Sequence, residues 1–223
     1  MSAYSFAPVR RGHYDIIVVF FVSFLLLSNI GATKLIEIGV FDWTLIFDGG
    51  AILFPLTYIL GDVLAEVYGF RPARRAILLG MFVSIMASAV FFLVQIAPPA
   101  ADYENQAAFE AVLGFVPRIV AASVAGYVVG QLINSWVLVT IKKKYGEKNL
   151  WARLMGSTVL GEAADTMIFC VVAWAGVMPA STILNLMIVG YVYKVAVEIV
   201  LLPVTYRVVA WVKRTEPAYQ EIL

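Results

Sequence analysis

One cysteine and one histidine are all that 223 residues hold of either type. A single thiol cannot close a disulfide within the chain or build a thiolate metal cluster. Cys170 also lies in an apolar run, where a free thiol packs as a small hydrophobe. His13 precedes the first long apolar stretch, which rules out a histidine proton relay inside a membrane, and no metal or other cofactor is expected. Charge is equally scarce: Asp, Glu, Lys and Arg make up 14% of the chain, against about 25% in an average soluble domain. The net charge of +1 offers no basic surface for nucleic acid. No Gly-rich nucleotide-binding loop is present, so the chain cannot hydrolyse ATP by itself.

Apolar residues take the place of charge, at 62% of the sequence and a mean hydropathy of +0.89. A bilayer-spanning helix needs about 20 mostly apolar residues. Six stretches qualify, near 15–32, 49–68, 76–97, 117–141, 155–177 and 183–207. They predict an all-α membrane protein with six transmembrane helices, organised as a single domain over 1–223. The first stretch follows Arg10 and Arg11 but has no small-x-small cleavage site after it, so it reads as a retained helix rather than a signal peptide. Thirteen of the 16 basic residues fall at the termini or in the loops after spans two and four. By the positive-inside rule both termini are expected in the cytoplasm. The five tryptophans lie near span ends, where aromatic belts form.

The outward loops carry signals of their own. KLIEIGVFDWTLIFD, residues 34–48, has β-branched and aromatic residues on both sides of a turn, and reads either as a short outer hairpin or as an ordinary connector. PPAADYENQAAFEAVLG, between spans three and four, breaks at two prolines and then turns helix-like, as an interfacial helix would.

Polar residues inside the spans recur at intervals of three and four, which aligns each set on one helix face. Span two carries Tyr58, Asp62 and Glu66, and span four Ser123, Tyr127, Gln131 and Asn134. Span five carries Thr158, Glu162, Asp165 and Phe169, and span six Tyr191, Lys194 and Glu198. An ionisable group at mid-bilayer costs about 2.5–3.5 kcal/mol on insertion scales and usually faces the bundle interior. Four polar faces therefore point to one shared cavity. Glu66 is expected to pair with Arg71, Arg74 or Arg75, and Lys194 with Glu198 can form a one-turn ion pair. Asp62, Glu162 and Asp165 have no local cation, which makes them candidates for holding a donor-rich ligand or carrying a proton. Small-residue ridges, Gly80, Ser84, Ser88 and Ala122, Gly126, Gly130, serve close packing within the chain or in a homodimer. Pro55 and Pro203 predict a kink or break beside the cavity.

Such an inventory suits a transporter of a small polar molecule. An intramembrane enzyme is the rival, but the G-x-G-D of membrane aspartyl proteases, the G-x-S-G of rhomboid-like sites and the D-x-x-D-G-x-x-A-R of phospholipid alcohol transferases are all missing. A channel would call for a repeated filter-like segment, and none is visible.

Ser28 and Asn29 end span one. PLTYILGDVLAEVYGFRPAR, RIVAASVAGYVVGQLIN, STVLGEAADTMIF and YKVAVEIVLLP follow on spans two, four, five and six. From about Ser28 to Pro203 the chain resembles the YhhQ-like queuosine-precursor transporters, also called the vitamin uptake transporter family. The resemblance implies a six-helix bacterial inner-membrane importer of a 7-deazaguanine, such as the 7-cyano or aminomethyl form. It also implies a fold akin to the substrate-binding subunits of energy-coupling-factor vitamin transporters. By that likeness Asn29, Asp62, Arg74, Arg118, Gln131, Asp165, Thr166 and Lys194 are candidate functional positions. At Asn134 and Glu162 acids and amides exchange among relatives, so neither is expected to be an obligatory proton carrier.

The residues suit such a ligand. A guanine-type ring offers two adjacent N–H donors beside a carbonyl. One carboxylate can accept both donors, and charge-assisted bidentate bonds are the strong ones. Asp165 or Glu162 is assigned to the donor edge and Lys194, Gln131 or Asn29 to the carbonyl. Tyr127, Phe169, Trp174 and Tyr191 are available for stacking. A proton-coupled or facilitative cycle is expected. The rival, a binding subunit docked on a coupling ATPase, often shows A-x-x-x-A on helix one; FFVSFLLLSN lacks it, so no coupling subunit is expected.

Overall fold

Helix α3, Phe70–Ile96, shows which solvent the chain is built for. In the computed structural model its buried positions are Ala73, Ala76, Gly80, Ser84 and Ser88, while Phe82 is 62% exposed and Leu93 likewise. A water-soluble helix would turn the large apolar groups inward. Here small residues face the neighbours and the greasy face is left out, as bilayer packing requires.

The structure describes residues 12–41, 43–145 and 150–217, without the side chains at 131, 132, 134, 135, 138, 139, 141–145, 150–155, 157 and 158. Helix α1 spans Tyr14–Gly31 and leads into a hairpin of β1, Leu35–Val40, and β2, Trp43–Asp48. A single 3-10 turn, Gly49–Ile52, precedes α2, Phe54–Tyr68, and then α3. The short α4, Gln106–Leu113, is followed by α5, Val116–Tyr145, α6, Leu150–Trp174, and α7, Ala180–Thr215. Helix α2 packs on α7, α7 on α6, α6 on α5, α5 on α3 and α3 back on α2, while α1 lies against α2, α3 and α5. Among the described residues four stretches are long and apolar enough to cross a bilayer: Tyr14–Gly31, Phe70–Ile96, Gln106–Gly130 and Ala180–Thr215. Helix α2, at 15 residues, is only about 22 Å long.

The 34–48 segment is a hairpin, antiparallel, with Leu35 opposite Asp48 and Val40 opposite Trp43. Asn185 of α7 accepts from the N–H of Ile46 and donates to the carbonyl of Thr44, at 3.1 and 2.8 Å, occupying the free edge of β2 as a third strand would. The helix-like stretch before span four is α4. Helix α3 begins at Phe70 rather than 76, because Gly69 (φ +82°) reverses the chain within one residue and Arg71, Arg74 and Arg75 fall inside the helix. Hydropathy misses a polar first turn.

Neither proline breaks a helix. Pro55 occupies the first turn of α2, where its missing N–H has no partner to lose. Pro203 lies within α7, which continues through it from Ala180 to Thr215. The small-residue ridges are used within the chain. A methyl at Gly80 would come within 2.7 Å of Leu25 on α1, and one at Gly130 within 2.9 Å of the Gly161 carbonyl on α6.

At the end opposite the hairpin, Glu216 is 3% exposed just past α7. Its carboxylate accepts from the backbone N–H of His13 at 2.8 Å and from the Tyr68 hydroxyl at 2.6 Å, joining the last helix to the first and second.

Candidate functional site

Glu162 and Asp165 stand three residues apart on α6, so both reach toward α7, which packs alongside. Lys194 of α7 meets both. Its ammonium donates to Asp165 Oδ2 at 2.8 Å and lies 3.2 Å from Glu162 Oε2. From α2, the Tyr58 hydroxyl donates to Glu162 Oε1 at 2.7 Å. Phe54, one turn earlier, packs its ring at a tilt against Tyr58 and places it 5.0 Å from the Lys194 nitrogen, a cation–π contact. Three helices thus contribute to one cluster. It is not sealed: the side chains of Lys194, Glu162 and Asp165 keep 21, 14 and 22% exposure.

Glycine makes room for it. A methyl on Gly126 of α5 would fall 2.7 Å from Asp165 Oδ1 and 2.8 Å from the Asp165 carbonyl, so α5 and α6 touch there backbone to side chain. On the same α6 face the buried Thr166 Oγ1 has no hydrogen-bond partner among the described residues, and Glu162 Oε2 has none there but the Lys194 ammonium. Buried polar groups are normally satisfied. An acceptor and a hydroxyl one turn apart, beside an ammonium, can receive a guest that both donates and accepts. The expectation that Glu162 and Asp165 lack a cation is overturned, since Lys194 crosses from α7 to serve both. Spacing along one helix could not reveal this.

Residues 48–208 match the family described as "Putative vitamin uptake transporter". The chain belongs to that family. Its members are transporters rather than enzymes. This member is 31% identical, over 80% of its length and 77% of the relative's, to a Bacillus subtilis protein named "Probable queuosine precursor transporter". A Haemophilus influenzae protein of the same name is 29% identical, over 72 and 67% of the two chains. The Escherichia coli "Queuosine precursor transporter" is 26% identical, over 68 and 67%. No solved structure matches.

The family member's other predicted site residues are placed variously. Asn29 is buried between α1 and α3 and donates to Ser84 at 3.3 Å. Arg118, at the start of α5, donates to the Val172 and Ala175 carbonyls and so caps the C-terminal end of α6. Trp174 is buried against Phe115 in the core cluster that also holds Cys170, with Phe169 packed at its side. Tyr191 donates to the Val159 carbonyl at 3.3 Å. Tyr127 and Asp62 are partly buried, and the Asp62 carboxylate makes no hydrogen bond or ion pair among the described residues. Glu198, one turn beyond Lys194, is engaged in turn. The side chains of Gln131 and Asn134 lie outside the described residues. Glu66 pairs with Lys213 of α7 at 2.6 Å, not with an arginine of the α2–α3 corner.

Sequence reasoning missed Phe54, Asp48 and Asn185. Asp48 ends β2 and accepts from the Gly50 N–H at 2.9 Å. Burial pushes its carboxyl above the ordinary aspartate range, while Lys194 and backbone N–H groups pull against that shift. Asp followed by two glycines was the available signal.

Proposed function

We propose that this chain imports a queuosine precursor, a 7-deazaguanine base, across the bacterial cytoplasmic membrane, and that the Lys194–Glu162–Asp165 cluster recognises it. The observation that carries the reading is one ammonium shared by two carboxylates in a chain whose relatives bear that name. A guanine-type ring presents an acceptor beside two donors. Lys194 turns from one carboxylate to the ring carbonyl, and the released carboxylate accepts both N–H groups. Bidentate, charge-assisted contacts of this kind give both strength and orientation. Tyr58 holds Glu162 in place, and Thr166 supplies a further polar contact. The Phe54 ring, already against the Lys194 ammonium, stacks on the base.

In this reading the whole chain is one six-span domain with both termini in the cytoplasm, and it works without a coupling ATPase. Sharing one ammonium leaves a negative charge in the cluster, which a proton entering with the base neutralises. Purified chain in liposomes tests this: it accumulates 7-cyano- or 7-aminomethyl-7-deazaguanine, and an imposed inward proton gradient drives the accumulation. If Asp165→Asn and Glu162→Gln both transport as wild type, the assignment of the cluster fails. Uptake only in the presence of an ATP-hydrolysing module would replace solitary transport with a docked binding subunit.

A further inference from the structure

We propose that the corner where α2 meets α3 binds the phosphate headgroup of an anionic phospholipid. Two adjoining clefts of about 350 and 380 Å³ lie there and share Arg71 and Arg75 as walls. Arg74 completes the first, and Tyr14, Tyr68 and Pro72 line the second.

Three guanidinium groups within five residues carry no carboxylate partner among the described residues. The nearby acids are engaged elsewhere: Asp15 accepts from the Ile16 N–H at 2.9 Å. Glu66 is taken by Lys213, and Glu216 is closed off by His13 and Tyr68. Arg74 instead lies over the Phe70 ring at 5.8 Å, which holds its plane without removing its charge. The arginines occupy the first turns of α3, whose N-cap, Gly69, supplies no side-chain acceptor, so the helix dipole adds to their field.

Below the charge the surface changes character along the same face. Leu78 and Leu79, one turn on from Arg74 and Arg75, wall the first cleft and are 55 and 41% exposed, followed by Phe82 and Met86. A phosphodiester on the guanidinium groups, with its acyl chain descending along these residues, matches both halves. Arginine's planar fork suits phosphate oxygens. Free phosphate uses only the upper half, which commits the site to a lipid.

The test uses the full chain in neutral detergent, titrated with phosphatidylglycerol, phosphatidylcholine and inorganic phosphate, with thermal unfolding and retained lipid as readouts. Phosphatidylglycerol is expected to raise the melting temperature at low salt and to stay bound, while phosphatidylcholine and inorganic phosphate do neither. Each of Arg71→Gln, Arg74→Gln and Arg75→Gln lowers the affinity for phosphatidylglycerol about fivefold, and Lys34→Gln, at the hairpin end, leaves it unchanged. Equal binding of the two lipids, reproduction of the shift by inorganic phosphate, or wild-type affinity in all three single variants overturns the proposal.

Discussion

Lys194 and Lys213 stand on one helix, and each reaches a carboxylate on a neighbour, yet the two pairs do different work. Lys213 meets Glu66 at 2.6 Å where the Glu66 side chain is 63% exposed. Lys194 meets two acids, each less than a quarter exposed, with a tyrosine and an aromatic ring closing around them. Water relaxes the first pair, so its parts can be separated at little cost. In the second, removing the lysine leaves two mostly buried carboxylates side by side without their shared cation. The same ion-pair chemistry is a surface tie in one place and a poised recognition element in the other.

The sharpest way to break the comparison is Lys194→Met. Stranding two acids is expected to cost about 3–5 kcal/mol of stability and to abolish uptake, read by thermal unfolding and by liposome transport. Adding Glu162→Gln and Asp165→Asn to that variant should restore the melting temperature without restoring uptake, which separates folding from recognition. Gly126→Val comes next. Its side chain would enter the space of Asp165, so overpacking of about 1–3 kcal/mol should accompany loss of substrate binding, measured by isothermal titration. Tyr58→Phe removes one charge-assisted hydrogen bond, worth about 1.5–3 kcal/mol, and should lower the melting temperature by less than Lys194→Met does while weakening binding at least tenfold. The smallest effect is expected for Lys213→Met, within about 1 kcal/mol, with uptake near wild type. A Lys213 variant as damaging as the Lys194 one would erase the distinction.

Much of the architecture was legible because bilayer helices announce themselves through uninterrupted apolar length. The hairpin and α4 were visible as departures from that pattern. Periodicity also marked the polar faces of α6 and α7, which brought Glu162, Asp165 and Lys194 forward. It could not say which residues meet, since Lys194 lies four residues from Glu198 in sequence but pairs across helices with α6. Arg118 shows the limit from the other side. Family likeness marks it as a functional position, but no spacing announces that the carbonyls at the end of α6 hold it. Pro55 misled for a similar reason: a proline within an apolar run cannot be told from one in a first turn until the preceding 3-10 turn is known.

Glu216 has a practical consequence. Because one carboxylate grips the backbone at His13 and the hydroxyl of Tyr68, the beginning and the close of the described chain are buckled together at one rim. Shortening the protein by a handful of residues, to Thr215, would undo that buckle and loosen α1 from its neighbours, although no membrane-crossing segment had been touched.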